Sequence, residues 1–207
     1  DIKEALDFYK NMEEAHVIRT IKTRTDEDGN AALYQSPEFI DGRVAGVLEW
    51  GSSVGKYESV LPEGVLETGP LLSDGKGNTG GWLVKPSMLY AVSRNTKYPD
   101  EAAAFIDFLL NDVECAKILG TTRGIPASEY AEESLESSGM LTGLAQESDE
   151  LIESVDTFTV SPYMELSRMK EMYNSALENV SYGVTDTDTA AKDLFDQITN
   201  YLEKIKK

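Results

Sequence analysis

Cysteine and histidine are almost missing from this chain, which has Cys115 and His16 and no other residue of either kind. A single cysteine excludes an internal disulfide framework and a Cys-based zinc cluster. A single histidine leaves little room for His-centred triads or multi-His metal sites, and no cofactor or metal is expected. Positive charge is scarce as well. Lys and Arg number 19 against 37 Asp and Glu, a formal charge of −18. Such a field repels phosphate backbones and anionic lipid, so nucleic acid is not an expected partner. No stretch approaches the ~18 unbroken apolar residues of a membrane helix. What remains is a chain of 207 residues, 41% hydrophobic. That is enough for one large or two small domains with a core of their own.

The chain opens Asp1-Ile2-Lys3-Glu4-Ala5-Leu6. It has no basic stretch leading into an apolar run and a small-residue cleavage site, so it does not read as a signal peptide. It starts inside a helical pattern, as a trimmed chain or a fragment of a longer one would. Ile2, Ala5, Leu6, Tyr9 and Met12 recur at helical spacing to about Ala15. Lys22 to Asn30 is polar, with Asp26-Glu27-Asp28-Gly29 as its expected turn. Ser36-Pro37 starts a short helix ending near Gly42. Arg43 to Trp50 is apolar and β-branched between glycines, as a buried strand should be. A second short strand fits Val65 to Leu72, and Leu89 to Val92 is the best strand core of an extended Trp82–Ser93. Ser73 to Gly81 is a loop by composition.

Helical signals dominate from Tyr98 onward. Pro99-Asp100-Glu101 opens a helix with Ala102, Phe105, Ile106, Leu109 and Leu110 as its expected buried stripe. Asn111-Asp112 caps another, which Gly120 stops. Helices follow near Ser128–Glu136, Leu141–Val155, Tyr163–Ser181 and from Thr187 to the end. The fold class is therefore α/β and helix-rich.

Four stretches in one order resemble the C-terminal half of an extracellular solute-binding protein of family 1, the maltose-binding-protein-like receptors that hand sugars to ABC importers. They begin with Ala5-Leu6-x-Phe8-Tyr9-Lys10. Phe39-x-x-Gly42-x-x-Ala45 follows, with Glu49-Trp50-Gly51. The most specific runs from Gly80-Gly81-Trp82 through Tyr90-Ala91-Val92-Ser93 to Lys97-Tyr98-Pro99-Asp100-Glu101-Ala102-Ala103-x-Phe105-Ile106-x-Phe108-Leu109. The last is Cys115-Ala116-Lys117-Ile118-Leu119 leading to Arg123-Gly124-Ile125-Pro126. Gly46 departs from the pattern, standing where the family usually has a larger apolar residue.

The resemblance implies a partial periplasmic-binding-protein-like fold of type II, from a receptor about twice this length that closes two lobes around a ligand. It places residues 1–91 and 129–207 in the C-terminal lobe and 92–128 in a segment of the N-terminal lobe. It also implies ABC-transporter permease subunits as partners. The expected localisation is periplasmic, or at the cell surface as a lipoprotein in a Gram-positive cell.

Sugars present C–H faces and rims of hydroxyls, so a receptor needs flat aromatics and polar neighbours. Trp50 and Trp82 are the candidate stacking rings, weighed about evenly against packing roles. Gly81 lets the backbone approach a ligand or flex beside Trp82. Glu49 can accept hydroxyl bonds, although a solvated carboxylate is the simpler reading. Ser52 and Ser53 are helix caps first and ligand donors second. Tyr163 and Glu165 match a later ligand-contact region, with packing favoured. Arg123 reads as structural before ligand-binding. His16 is a helix-end residue, Cys115 a packed thiol, and Asp186 and Asp188 caps. Asp26-Glu27-Asp28-Gly29-Asn30 lacks the twelve-residue calcium-loop spacing.

The expected function is ligand capture, with an oligosaccharide as the leading ligand and no covalent step. A carboxylate-based glycoside hydrolase is the alternative from another class, since two of many acids can lie 5–10 Å apart by chance. Receptors for polyamines, peptides or metal complexes, and a plain interaction domain, are the other readings.

Overall fold

The computed structural model describes residues 2–29, 31–72, 81–86, 88–122 and 124–206. The chain divides into two compact units, Asp1–Ala32 with Val160–Lys207, and Leu33–Thr159.

The first unit is helical. Its elements are α1 (Ile2–Glu14), α2 (Ile21–Asp28), α9 (Ser167–Ser181) and α10 (Thr187–Ile205). Met169, Met172, Ala176 and Val180 recur every three or four residues along α9, and all four are buried. They meet Leu194 and Ala190 of α10 and Leu6 of α1, with Ile2, Ile198 and Tyr201 partly buried around them. Asp186 caps α10 by accepting the Thr189 N–H at 2.7 Å. That contact, and the Thr189 hydroxyl, hold its carboxyl below the ordinary Asp range.

Buried Glu13 ties the helix ends together. Its carboxylate accepts the Ile21 N–H at 3.0 Å and the Ser181 hydroxyl at 2.8 Å. His16 is the non-glycine residue with positive φ, at 57°. Val17 N–H reaches back to Met12 O at 2.9 Å and His16 N–H to Glu13 O at 3.1 Å, the two bonds of a Schellman stop. Gly183 performs the same task after α9, with φ at 69°.

Two expectations change in this unit. Asp26–Asp28 are not a turn but the end of helix α2, which Gly29 closes and at whose start the Thr20 side chain accepts the Thr23 N–H. Its acids Glu27 and Asp28 are occupied by Arg19. Helix α9 does not begin at Tyr163, because Pro162–Glu165 forms a 3-10 turn and Leu166 is extended at ψ 130°.

The second unit contains α3 (Pro37–Ile40), α4 (Val54–Glu58), α5 (Pro99–Asn111), α6 (Val113–Leu119), α7 (Glu129–Ser137) and α8 (Leu144–Glu153). A parallel pair of short strands, β1 (Leu83–Val84) and β2 (Phe158–Thr159), completes it. Leu135, fully buried, centres a cluster with Ala116, Ala131 and Leu141. Cys115 is buried beside it, and Asp112 caps α6 through the N–H groups of Glu114 and Cys115.

Arg43–Trp50, Val65–Leu72 and Leu89–Val92 run without a hydrogen-bonded ladder and are not strands. β-branched residues supply only a preference; a strand exists where a neighbour takes up its N–H and C=O groups. Most of these apolar side chains are exposed, among them Val47, Leu48, Val65 and Leu89. The stripe expected on α5 is likewise unburied: Phe105 is 60% exposed, and its ring stacks on Phe108 at 6.5 Å. No described helix is long and apolar enough to cross a membrane.

Candidate functional site

The second unit holds Glu49, Trp50, Ser52, Gly81 and Trp82. Trp50 stands at the end of the extended 43–50 segment, where the chain enters a 3-10 turn over Gly51–Ser53 and then α4. The residue is 41% exposed, outside the buried core. The Lys85 ammonium sits over the indole ring, 4.6 Å from the centroid, within cation–π range.

Glu49 is exposed yet engaged. Its carboxylate accepts the Trp50 N–H at 2.9 Å and the Tyr57 hydroxyl at 3.3 Å. Tyr57 is buried, edge-on to Phe39 at 5.0 Å and to Tyr34 at 5.9 Å. Burial, then the Glu49 charge, push the Tyr57 phenol above its ordinary value. An aromatic cluster on α3 and α4 thus fixes the carboxylate, and the carboxylate fixes the backbone that carries Trp50.

Ser52 and Ser53 do not cap α4 through their side chains. Ser53 occupies the N-cap position without a side-chain bond, and Ser52 lies within the preceding turn. Ser52 instead lies against Gly124. A Cβ at Gly124 would stand 3.3 Å from the Ser52 Cβ, and Gly124 has φ of 87°. A groove of about 360 Å3 opens there, with Gly51, Ser52, Lys56, Thr121 and Thr122 among its walls. Arg123 lies outside the described residues.

Gly81 has φ of 95°, a conformation that favours glycine. Trp82 follows it, half-buried, and its carbonyl accepts the Phe158 N–H at 2.9 Å, which anchors the start of β1. Lys85 comes just after β1 and also borders a second groove of about 450 Å3. Leu89, Tyr90, Leu109 and Ile125 are among its walls, and no other described lining residue carries charge.

Tyr163 and Glu165 belong to the other unit. Tyr163 is exposed, and Glu165 pairs with Lys170 at 2.8 Å. Sequence reasoning missed Tyr57 and Lys85. The signal for Lys85 was a lone cation in the apolar run Trp82-Leu83-Val84-Lys85-Pro86. Tyr57 gave no comparable signal. Among the described residues no group of acids, His and Cys is arranged to hold a metal ion.

The backbone can be set beside solved structures. A periplasmic solute-binding protein from Pectobacterium atrosepticum matches 98% of this chain at 30% identity, with a TM-score of 0.86. The chain folds as one half of a solute-binding protein. A periplasmic oligogalacturonide-binding protein from Yersinia enterocolitica, solved with saturated digalacturonic acid, matches 98% at 28% identity and a TM-score of 0.82. An extracellular solute-binding protein of family 1 from Alicyclobacillus acidocaldarius, at 22% identity and a TM-score of 0.65, shares the fold over 97% of the chain. This chain spans about half the length of each, covering 50% of the first and third and 51% of the second. No family model matches the sequence.

Proposed function

We propose that this half belongs to the receptor of a bacterial ABC importer, which captures an oligosaccharide between two lobes and passes it to permease subunits unchanged. The observation that carries the reading is the backbone likeness to periplasmic solute-binding proteins, one of which binds an oligogalacturonide. The receptor works in the periplasm or, lipid-tethered, at the surface of a Gram-positive cell. Trp50 and Trp82 supply stacking faces, and Glu49, Gly81 and Ser52 supply the polar rim and close backbone. Tyr163 and Glu165 are further candidate ligand contacts in this reading. Closure follows from contacts that the ligand makes only when both lobes meet, a shift between pre-existing states.

Residues 92–128 belong, in this reading, to the lobe supplied mainly by the rest of the receptor. The open apolar face of α5 and the 81% exposure of Ile118 on α6 support that assignment. A thermal-shift screen of the complete two-lobed receptor against mono- and oligosaccharides tests the function. A cognate sugar at one hundred times its Kd stabilises by about 2.7 kcal/mol. Release of product from a glycoside, or stabilisation by a polyamine or peptide and by no saccharide, would overturn the reading.

A further inference from the structure

Trp50 is not oriented by a sheet, because the extended segment 43–50 that carries it has no hydrogen-bonded ladder. Its backbone is held locally instead. The Trp50 carbonyl accepts the Ser53 N–H at 2.8 Å, which starts the turn toward α4. The Trp50 N–H donates to one oxygen of the Glu49 carboxylate at 2.9 Å. An exposed glutamate turns away from such a contact unless its other oxygen is held, and the Tyr57 hydroxyl donates to that oxygen at 3.3 Å. Resting on the saccharide-receptor reading, we propose that Tyr57 is a positioning residue for ligand binding: acting through Glu49, it sets the Trp50 backbone, and with it the indole plate, for the sugar.

Tyr57 supplies the fixed end of this relay. It is 6% exposed, and its ring lies edge-on to Phe39, itself 3% exposed, and to Tyr34. Burial, then the Glu49 charge, raise its phenol above the ordinary Tyr value, so the hydroxyl keeps its proton and remains a donor at neutral pH. Glu49 and Trp50 are both exposed and lack such packing, so order passes from Tyr57 outward. The acceptor is ionised, which makes the bond stronger than one between neutral groups. A carboxylate offers about four acceptor positions. Donors of the chain occupy one position on each oxygen, so Glu49 can take ligand hydroxyls while it is held. One buried hydroxyl thereby orders two candidate ligand contacts.

The test joins two measurements on the complete two-lobed receptor. Calorimetric titration with digalacturonate, or with the saccharide that the thermal-shift screen selects if that differs, reads affinity. Labelling tryptophan with 15N reads the Trp50 backbone N–H. Tyr57→Phe keeps the packed ring and removes only the hydroxyl. It should weaken saccharide binding about five-fold. It should also move the Trp50 backbone signal of the ligand-free receptor and leave that of Trp82 in place. Glu49→Ala should weaken binding about ten-fold, and adding Tyr57→Phe to it should cost less than about two-fold more, because both substitutions cut one relay. Losses that add in full, an unchanged affinity in Tyr57→Phe, or an unmoved Trp50 backbone signal would each overturn the role of Tyr57 while the receptor reading stands. If wild type binds no saccharide at all, that reading falls, and this inference with it.

Discussion

Helices α9 and α10 of the first unit and α5 of the second all carry regular apolar periodicity, yet only α9 and α10 bury residues of that face. In α9 and α10 the periodic residues meet one another: Met169, Met172 and Ala176 close on Leu194, and Val180 on Ala190 and Leu6. In α5 the expected stripe leaves Phe105 and Leu110 open to solvent, and Phe108 beside them is exposed as well. Periodicity announces which face a helix will bury. It does not announce whether the covering surface lies in the same 207 residues.

Core truncation should separate the two regions most sharply. Leu194→Ala leaves a cavity between α9 and α10 and should cost about 2–5 kcal/mol in urea unfolding of this chain. Phe105→Ala on α5 should cost less than about 0.5 kcal/mol in the same measurement, since exposed positions are worth little. In the complete receptor Phe105→Ala should instead cost several-fold more. Equal small effects in both contexts would remove the argument that another lobe covers α5.

A smaller effect tests what ties the first unit together. Glu13→Ala removes the acceptor of the Ser181 hydroxyl and leaves the Ile21 N–H only its 3.2 Å contact with Ser181 Oγ, and should cost about 1–3 kcal/mol. Hydrogen exchange should report it at the start of α2 and the end of α9 before any loss in α6 or α7.

The smallest effect lies in the second unit and depends on pH. Burial first, then Asp149, Glu153 and Glu136, raise the Glu132 carboxyl above its ordinary 4.5. Above pH 4.5 the folded chain therefore binds more protons there than the unfolded chain, and stability falls as pH rises through the raised value. Glu132→Gln should raise Tm modestly at pH 7 and show no advantage by pH 4. A constant difference across that range would contradict the assignment.

Most helices were legible because their signals are local. Pro99 with Asp100 and Glu101 starts α5, Asp112 caps α6, and Gly120 and Gly183 stop their helices where the backbone turns to positive φ. Strands were legible only as preferences. Arg43–Trp50 has the composition of a buried strand, but its partner cannot be read from its own residues. Helix α2 was hidden because few apolar residues mark it, and its Thr20 cap and the Arg19 pairs stabilise it instead. At the candidate site the sequence pointed to Glu49, Trp50 and Trp82 through the family resemblance. It marked Lys85 as a lone cation in an apolar run but not its place over Trp50, which joins segments far apart in the chain.

If Trp50 and Trp82 grip a saccharide as proposed, the chain's two tryptophans make that directly observable. In a complete receptor labelled with 15N, the indole N–H signals of both residues should move when a saccharide saturates the site. Saccharide binding with both indole signals unmoved would contradict the account.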